Sequence, residues 1–297
     1  MAGQSITRRG LLTGAGAALA AGALEIASTG SVEAQGKAGD PPFGLGTVTY
    51  NVPKDWDLPT LLKILPAVGV HSIEFRTTHA HGVEPSMSSA QRTEVRQRCA
   101  DAGIKQISLG TVCEFQSPDP AVVKKNLDDC REWVKLAKDL GALGVKIRPN
   151  GLPKDVPVEK TLEQIGKALR ECGAMAQDQG VEIWMEVHGA GTQEPANARK
   201  ILDYCGHKSV GANWNSNPTD VKNGSVREAF DLLKANLLSV HINNLWSDYP
   251  YRELFTLLRQ AGFNRYTNCE VGTAVKPEDG ALFFQCYRGL WKELARG

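Results

Sequence analysis

The sequence predicts a single (β/α)8 barrel, an α/β fold in which eight parallel strands are surrounded by eight helices. The chain has 297 residues, of which 42% are hydrophobic, enough for one large core. From residue 43 onward, short apolar runs alternate eight times with amphipathic segments of about one helix each. A doubly wound open sheet is disfavoured, because Gly44 and Gly46 stand at the start of the first strand and not in a phosphate-binding turn after it.

The predicted strands are short apolar runs bounded by turn residues, and an amphipathic segment follows each one. In chain order the strands are 43–51, 71–76, 104–113, 143–148, 181–189, 210–214, 238–242 and 265–271. The helices are 58–68, 88–102, 120–140, 159–179, 195–204, 226–233, 251–261 and 280–295. Glycines support two of these boundaries, because Gly69 follows the first helix and Gly141 follows the third. The barrel is therefore expected to occupy residues 43–297.

Residues 1–34 resemble a twin-arginine (Tat) signal peptide. Arg8 and Arg9 precede an apolar run rich in Ala, Gly and Leu, and residues 32–34 offer a small-residue cleavage site. A short membrane anchor is disfavoured, because the run is too short and too rich in Gly and Ala to cross ~30 Å of hydrocarbon. We expect the Tat export machinery to deliver the protein to the periplasm or another extracytoplasmic space. Residues 35–42 are interpreted as a linker, and no membrane span is expected after it.

The charge balance and the cysteines exclude several classes of function. Lys and Arg number 34 against 33 Asp and Glu, so the net charge of +1 does not favour nucleic acid, a membrane surface or a polyanionic partner. The seven cysteines are scattered and form no C-x-x-C pair. We expect mostly buried thiols, without a disulfide framework or a structural zinc site. A small, roughly neutral molecule is the expected partner, and a homo-oligomer is left open.

Glu186 and His188 stand two residues apart at the end of the fifth strand, so they are expected to share one face of it. Placing a carboxylate and an imidazole on an inward face costs several kcal/mol unless the two are paired, bound to metal or hydrated. A functional site is one interpretation. A Glu186–His188 hydrogen bond that caps a core strand is the other.

Polar side chains cluster at the predicted carboxyl ends of the strands, where barrel enzymes carry their active sites. Four of the six histidines lie on this side, together with several charged and amide side chains. These candidates are Arg76, His79, His81, Glu114, Lys146, Arg148, His188, Asn215, Asn217, His241 and Glu270. The pattern is typical of a polar active-site mouth. His79 and His81 could equally contact a substrate or lie on the surface of their loop.

Strands five to eight each contribute one candidate metal ligand, namely Glu186, Asn215, His241 and Glu270. Carboxylate oxygen, amide oxygen and imidazole nitrogen together suit one divalent ion such as Mn²⁺, Mg²⁺, Co²⁺ or Zn²⁺. The amide of Asn215 carries no charge, so it should bind the ion more weakly than a carboxylate.

The chain resembles the xylose isomerase-like barrel superfamily, which includes sugar isomerases and epimerases, inosose dehydratases and endonuclease IV. The resemblance covers nearly the whole mature chain and rests on residues 184–188, 214–217 and 240–244 and on Glu270. Residues 76–84 and 145–150 make the chain especially similar to exported proteins labelled sugar phosphate isomerase/epimerase.

The resemblance implies a divalent metal held by Glu186, His241, Glu270 and the strand-six position, where Asn215 replaces the family's Asp. The epimerases carry a His and an Arg where this chain has Pro218 and Ser247. The common His-x-Lys-Asp motif has become residues 241–244, so Asn244 stands where the motif has Asp. These departures disfavour ordinary ketose 3-epimerase activity.

The leading hypothesis is a sugar isomerase or epimerase that transfers a proton next to a carbonyl group through an enediolate. Glu186 and Glu270 are expected to remove and return the proton, and His188 to orient Glu186. Lys146 and Arg148 are expected to stabilise the oxyanion or to hold a polar sugar substrate.

Two alternatives remain open. The first is a lyase or dehydratase acting on a keto-sugar or a 3-keto-glycoside, and the second is a sugar-binding barrel without catalysis. DNA repair of the endonuclease IV type is disfavoured, because its trinuclear zinc site needs more ligands than these strand ends supply.

Overall fold

Eight parallel strands form a closed barrel in chain order, with β8 pairing to β1, in the part of the chain that the computed structural model describes, residues 40–296. The predicted fold class is confirmed. The strands are β1 Gly44–Val48, β2 Ser72–Arg76, β3 Gln106–Gly110, β4 Gly144–Ile147, β5 Glu182–Glu186, β6 Val210–Trp214, β7 Leu237–Ile242 and β8 Tyr266–Cys269. The predicted export signal and most of the predicted linker lie outside the described residues, and both stay predictions.

A helix follows each strand and packs on the outside of the barrel. The helices are α1 Leu58–Ala67, α2 Ser89–Asp101, α3 Pro120–Leu140, α4 Val158–Gln177, α5 Pro195–Cys205, α6 Arg227–Leu233, α7 Tyr251–Gln260 and α8 Pro277–Ala295. Local signals define some ends sharply. Ser88 and Gln91 form a reciprocal capping box at α2, Asp119 caps α3, and Gly141 ends α3 with a φ of 69°. No helix described in residues 40–296 is long and apolar enough to cross a membrane.

Three strands end three residues earlier than the sequence pattern predicts, and one of them is the third, which was expected to reach residue 113 but ends at Gly110. The first was expected to reach residue 51 but ends at Val48, and the fifth was expected to reach residue 189 but ends at Glu186. Asn51 and Gly189 adopt φ angles of 64° and 93°, so the backbone turns away from the extended conformation there. His188 therefore lies in the loop after β5.

The two faces of the strands carry opposite chemistry. Outward positions such as Ile73 and Phe75 on β2 are fully buried against helix side chains, and this layer between sheet and helices is the hydrophobic core. The inward face of the barrel is lined by buried polar side chains, namely Ser72, Glu74, Ser108, Lys146, Glu186, Asn213, Ser239, His241 and Asn268. Trp184 and Tyr266 share this inward face nearer the amino ends of the strands. From them, a polar column leads to the carboxyl ends of the strands.

Candidate active site and metal centre

A cavity of about 680 Å³ opens at the carboxyl ends of the strands. Its walls are strand-end residues and the loops that follow them, as expected for a barrel enzyme. Eight of the candidate residues line it, namely Arg76, Lys146, Arg148, Glu186, His188, Asn215, Asn244 and Glu270. His241 is fully buried beneath its floor. The barrel therefore gathers most of the candidate residues around one space.

Glu186, His241 and Glu270 converge at the bottom of this cavity. One ligand atom from each lies within 4.8 Å of the other two. The Nδ1 atom of His241 is 3.1 Å from Glu270 Oε2 and 3.6 Å from Glu186 Oε1, yet it makes no hydrogen bond with any described residue. Asn215 Oδ1 is also buried without a partner in residues 40–296. Such unpartnered lone pairs fit a bound cation.

The charge of the centre also fits a divalent ion. Glu74, Glu186 and Glu270 contribute three carboxylates, whereas Lys146 contributes one ammonium group. With His241 neutral, as a metal ligand must be, two negative charges remain. Two carboxylates, an imidazole and an amide oxygen are suitable ligands for Mn²⁺, Mg²⁺, Co²⁺ or Zn²⁺. The residues present therefore fit the group that the resemblance implies.

Lys146, and not His188, holds Glu186 in place. Lys146 Nζ donates a hydrogen bond of 2.7 Å to Glu186 Oε2, and the two side chains are only 5% and 4% exposed. No hydrogen bond joins His188 to Glu186 among the described residues, so the expected orienting contact is corrected. The reason is the early end of β5, which places the His188 imidazole in the loop, where it lines the cavity.

In the Lys146–Glu186 pair, each charged group favours the charged form of the other. Burial opposes the charged form of Glu186, but the neighbouring Lys146 and His241 outweigh it and hold the pKa of that carboxyl well below its usual range. Burial likewise opposes the charged form of Lys146. The carboxylates of Glu186, Glu74 and Glu270 outweigh that effect and raise the Lys146 pKa. Lys146 is therefore an ammonium group inside the centre.

Glu74 is a member of the centre that sequence reasoning missed. It lies on β2, is fully buried, and places Oε2 3.1 Å from His241 Nε2. Burial alone would lower the pKa of His241, but the carboxylates of Glu270 and Glu74 raise it well above its ordinary value. The strand alternation held a signal for Glu74, because it stands two residues before Arg76 and shares its inward face.

Arg148 and Arg76 form one wall of the cavity. Arg148 Nη2 pairs with Glu114 Oε1 at 2.9 Å, so Glu114 acts on the cavity through this arginine. Arg76 donates from Nη1 to Thr77 O at 2.8 Å, and its guanidinium carbon lies 5.2 Å from the centre of the Tyr50 ring. Both arginines are held by neighbours and present fixed donors to the cavity.

His79 and His81 hold the loop after β2 and do not line the cavity. His81 is buried, accepts a hydrogen bond from Val83 N on Nδ1, and lies 3.0 Å from Arg76 O through Nε2. Burial lowers the pKa of His81 to about 4. His79 donates from Nδ1 to Thr49 O at 3.0 Å. His81 was expected either to contact a substrate or to lie on the surface of its loop. It does neither, because its hydrogen bonds to the loop backbone bury it.

The loops after β6 and β7 are tied together by residues that the sequence pattern did not single out. Tyr249 lines the cavity and donates its hydroxyl to Asp220 Oδ2 at 2.9 Å. Asn217, a predicted site residue, donates from its backbone to the same oxygen and from its side chain to Val187 O. Burial raises the pKa of Asp220 to about 7. Asn217 therefore shapes the loop that carries Asn215, and Asn244 also lines the cavity.

A family model described as xylose isomerase-like TIM barrel matches residues 62–283. The chain belongs to this family. No curated protein matches the sequence significantly.

Solved structures show the same fold at low identity. The IolI protein with a bound zinc atom superposes with a TM-score of 0.70 at 16% identity, over 85% of this chain and 98% of that one. D-psicose 3-epimerase with D-tagatose from Clostridium cellulolyticum H10 gives 0.65 at 14% identity, over 85% and 96%. The 3-keto-D-glucoside 4-epimerase YcjR from E. coli gives 0.67 at 12% identity, over 84% and 99%.

Proposed function

We propose that this chain is a divalent-metal-dependent sugar isomerase or epimerase that transfers a proton next to a carbonyl group. The observation that carries the proposal is the convergence of Glu186, His241 and Glu270 at the floor of a polar cavity. The similar folds of two sugar epimerases and of a zinc-bound protein support this class of activity. A small sugar or sugar derivative is the proposed substrate.

Glu186, Asn215, His241 and Glu270 would hold the ion. When bound, it supplies positive charge that polarises the substrate carbonyl and stabilises the enediolate. Glu270 is the better placed base, since its side chain is 13% exposed and lines the cavity. Glu186 is ionised and uses one oxygen for the Lys146 ammonium group, which can pass a proton along that hydrogen bond, so the Lys146–Glu186 pair would deliver a proton to the carbon while Glu270 keeps the one it removed.

Lys146 and Arg148 stand beside the reacting centre with fixed donors. The Lys146 ammonium group lies within the cavity wall and adds a positive charge near developing negative charge on the substrate oxygen. Arg148, held by Glu114, is suited to a substrate hydroxyl. The polar lining therefore suits a polyhydroxylated molecule better than an apolar one.

A lyase acting on a keto-sugar or a 3-keto-glycoside is the second candidate. Pro218 and Ser247 line the cavity at the positions where the resembling epimerases carry His and Arg. The same proton abstraction leads to elimination when a leaving group departs from the adjacent carbon instead of the proton returning. The Lys146 ammonium group is a proton donor for that leaving group. A sugar-binding barrel without catalysis is the remaining alternative.

The first experiment is elemental analysis of the purified protein together with Glu186→Gln and Glu270→Gln. We expect about one divalent ion per chain, lost in both variants. Glu182→Gln is the matched control, because Glu182 starts β5 at the opposite end of the barrel and pairs with Arg265. An ion-free wild type that gains no thermal stability from Mn²⁺, Co²⁺ or Zn²⁺ would contradict the proposal and favour the sugar-binding alternative.

The second experiment separates the two enzymatic candidates. The metal-loaded protein is incubated in D₂O with keto-sugars and with 3-keto-glycosides, and products are followed by NMR. Deuterium at the carbon next to the carbonyl with the glycosidic bond intact supports isomerisation or epimerisation. Release of the aglycone supports the lyase.

We also propose that the protein acts outside the cytoplasm after export by the Tat machinery. The proposal rests on the twin arginines of the N-terminal segment, Arg8 and Arg9. Replacing both by Lys should leave the protein in the cytoplasmic fraction. Unchanged export of this variant would refute the proposed route.

A further inference from the structure

Glu74 is a buried carboxylate, and His241 is the one side chain in residues 40–296 with which it forms an ion pair. Its side chain is 0% exposed, and Oε2 lies 3.1 Å from His241 Nε2. Oε1 has no hydrogen-bond partner, and no Lys or Arg forms an ion pair with Glu74 in residues 40–296. Burying such a group costs free energy that packing does not return. The cost of burying Glu74 therefore indicates that this carboxylate has a function in the centre.

The contact between Glu74 and His241 selects one form of the imidazole. A carboxylate accepts, so the Nε2 atom that faces it must carry a proton. A neutral imidazole then has its lone pair on Nδ1. That atom faces Glu186 Oε1 and Glu270 Oε2 at 3.6 and 3.1 Å. Glu74 therefore turns the free lone pair toward the two carboxylates with which it would share an ion.

Asn213 lies on the same side of the ring but is a weaker candidate for this role. Its amide nitrogen is 3.2 Å from His241 Nε2. An amide carries no net charge, whereas a hydrogen bond to a carboxylate is shorter and stronger. The negative charge of Glu74 also makes Nδ1 a more basic ligand. An amide NH2 group donates, so in this orientation it cannot hydrogen-bond to a protonated Nε2 and does not favour that tautomer. With the amide turned, its Oδ1 atom, which has no hydrogen-bond partner in residues 40–296, would accept from the same N–H. The carboxylate of Glu74 therefore sets the tautomer.

We propose that Glu74 is a positioning residue that holds His241 as the Nε2–H tautomer and strengthens Nδ1 as a metal ligand. This inference rests on the proposed metal-dependent function. It adds a fifth strand, β2, to the centre that the resemblance places on β5 to β8. Glu74 itself lies on the Nε2 side of the imidazole, whereas Nδ1 would hold the ion.

The test compares Zn²⁺ affinity in the full chain with Glu74→Gln, Glu74→Ala and the Glu182→Gln control. Loss of such an outer partner typically lowers metal affinity by about 10–100-fold. We expect Glu74→Ala near the upper end of this range. Glu74→Gln keeps an acceptor for Nε2–H but loses the charge, so its affinity should fall between those of wild type and Glu74→Ala. The control should bind like wild type.

A second readout reports the tautomer directly. Long-range ¹H–¹⁵N spectra of histidine-labelled, metal-free protein, at a pH where the ring is neutral, distinguish Nε2–H from Nδ1–H without a metal that would itself fix the tautomer. We expect Nε2–H for His241 in wild type and in Glu74→Gln, and a mixture of the two tautomers in Glu74→Ala. A change in packing alone would not alter this signature.

The outcomes separate this inference from the proposed function. Zn²⁺ binding by wild type together with unchanged affinity and tautomer in Glu74→Ala would overturn the role of Glu74 alone. If wild type binds no ion at all, both proposals fall. If Glu74→Ala does not fold, the graded loss in Glu74→Gln decides, since this variant preserves shape and one hydrogen bond.

Discussion

The buried ion pair between Lys146 and Glu186 is expected to contribute strongly to the free energy of unfolding when its two partners are removed one at a time. Replacing Lys146 by Met removes the ammonium group and leaves the Glu186 carboxylate buried, with a side chain only 4% exposed. Breaking a buried pair from one side typically costs about 3–5 kcal/mol, because the remaining charge has lost its solvation and its partner. We expect a loss of that size in the metal-free protein.

The assay is urea unfolding followed by circular dichroism and tryptophan fluorescence in the presence of EDTA. Lys124→Met is the matched control, because Lys124 makes a similarly short contact to Asp128 on the surface of α3, where its side chain is 76% exposed. This control should change the free energy of unfolding little, since solvent screens the pair. The same substitution is thus compared in buried and exposed settings.

The double variant Lys146→Met/Glu186→Gln tests the cause. Removing both charges should restore most of the lost stability, because no uncompensated carboxylate remains. A Lys146→Met variant as stable as the Lys124→Met control would refute the reasoning. So would a double variant less stable than Lys146→Met alone.

Three further predictions concern pH and packing. The Asp220 pKa is raised from 3.8 to about 7, so the unfolded chain releases this proton at a lower pH than the folded protein does. The free energy of unfolding of wild type should therefore fall by up to about 4 kcal/mol relative to Asp220→Asn as the pH rises from 4 toward 7, which unfolding at several pH values checks. The His81 pKa is lowered from 6.5 to about 4, so the unfolded chain takes up this proton at a higher pH than the folded protein does. The free energy of unfolding should therefore fall by up to about 3 kcal/mol as the pH drops from 6.5 to 4, and His81→Gln should not show this dependence on pH. Gly46→Ala should lower the free energy of unfolding by about 1–3 kcal/mol and lower the melting temperature, because its Cβ would collide with the Asn268 amide. Gly272→Ala is the control and should leave both unchanged, since no neighbouring atom lies within 4 Å of the added Cβ.

The sequence pattern predicted the elements best where local signals act. Helix α3 was predicted over its full observed range, because Asp119 caps its start, Pro120 fits the first turn and Gly141 ends it. The ends of β1, β3 and β5 were predicted three residues too late, because strand-favouring residues such as Thr49, Val112 and Val187 continue beyond the last strand residue. Nothing in that pattern marks the turn that Gly189 makes with its positive φ.

The candidate site was predicted where strand ends carry the signal. Glu186, His241 and Glu270 each stand at or beside the end of a strand, and the barrel rule was enough to group them. Glu74 was missed because it lies in the middle of β2, where the rule about strand ends does not point, although the alternation along β2 places it on the inward face. His81 was grouped with the site by position, but its backbone contacts bury it in the loop.

The alternation of strands and helices, and the face on which each strand residue points, can be read from the amino-acid sequence because both follow from local periodicity. Which inward side chains meet depends on how the strands assemble in three dimensions. Glu74 and His241 are 167 residues apart, and Lys146 and Glu186 are 40 apart. Barrel closure brings Glu74 on β2 and His241 on β7 within hydrogen-bond distance across the interior, and the pairing of β4 with β5 brings Lys146 beside Glu186. Periodicity within one strand holds no information about a partner on another.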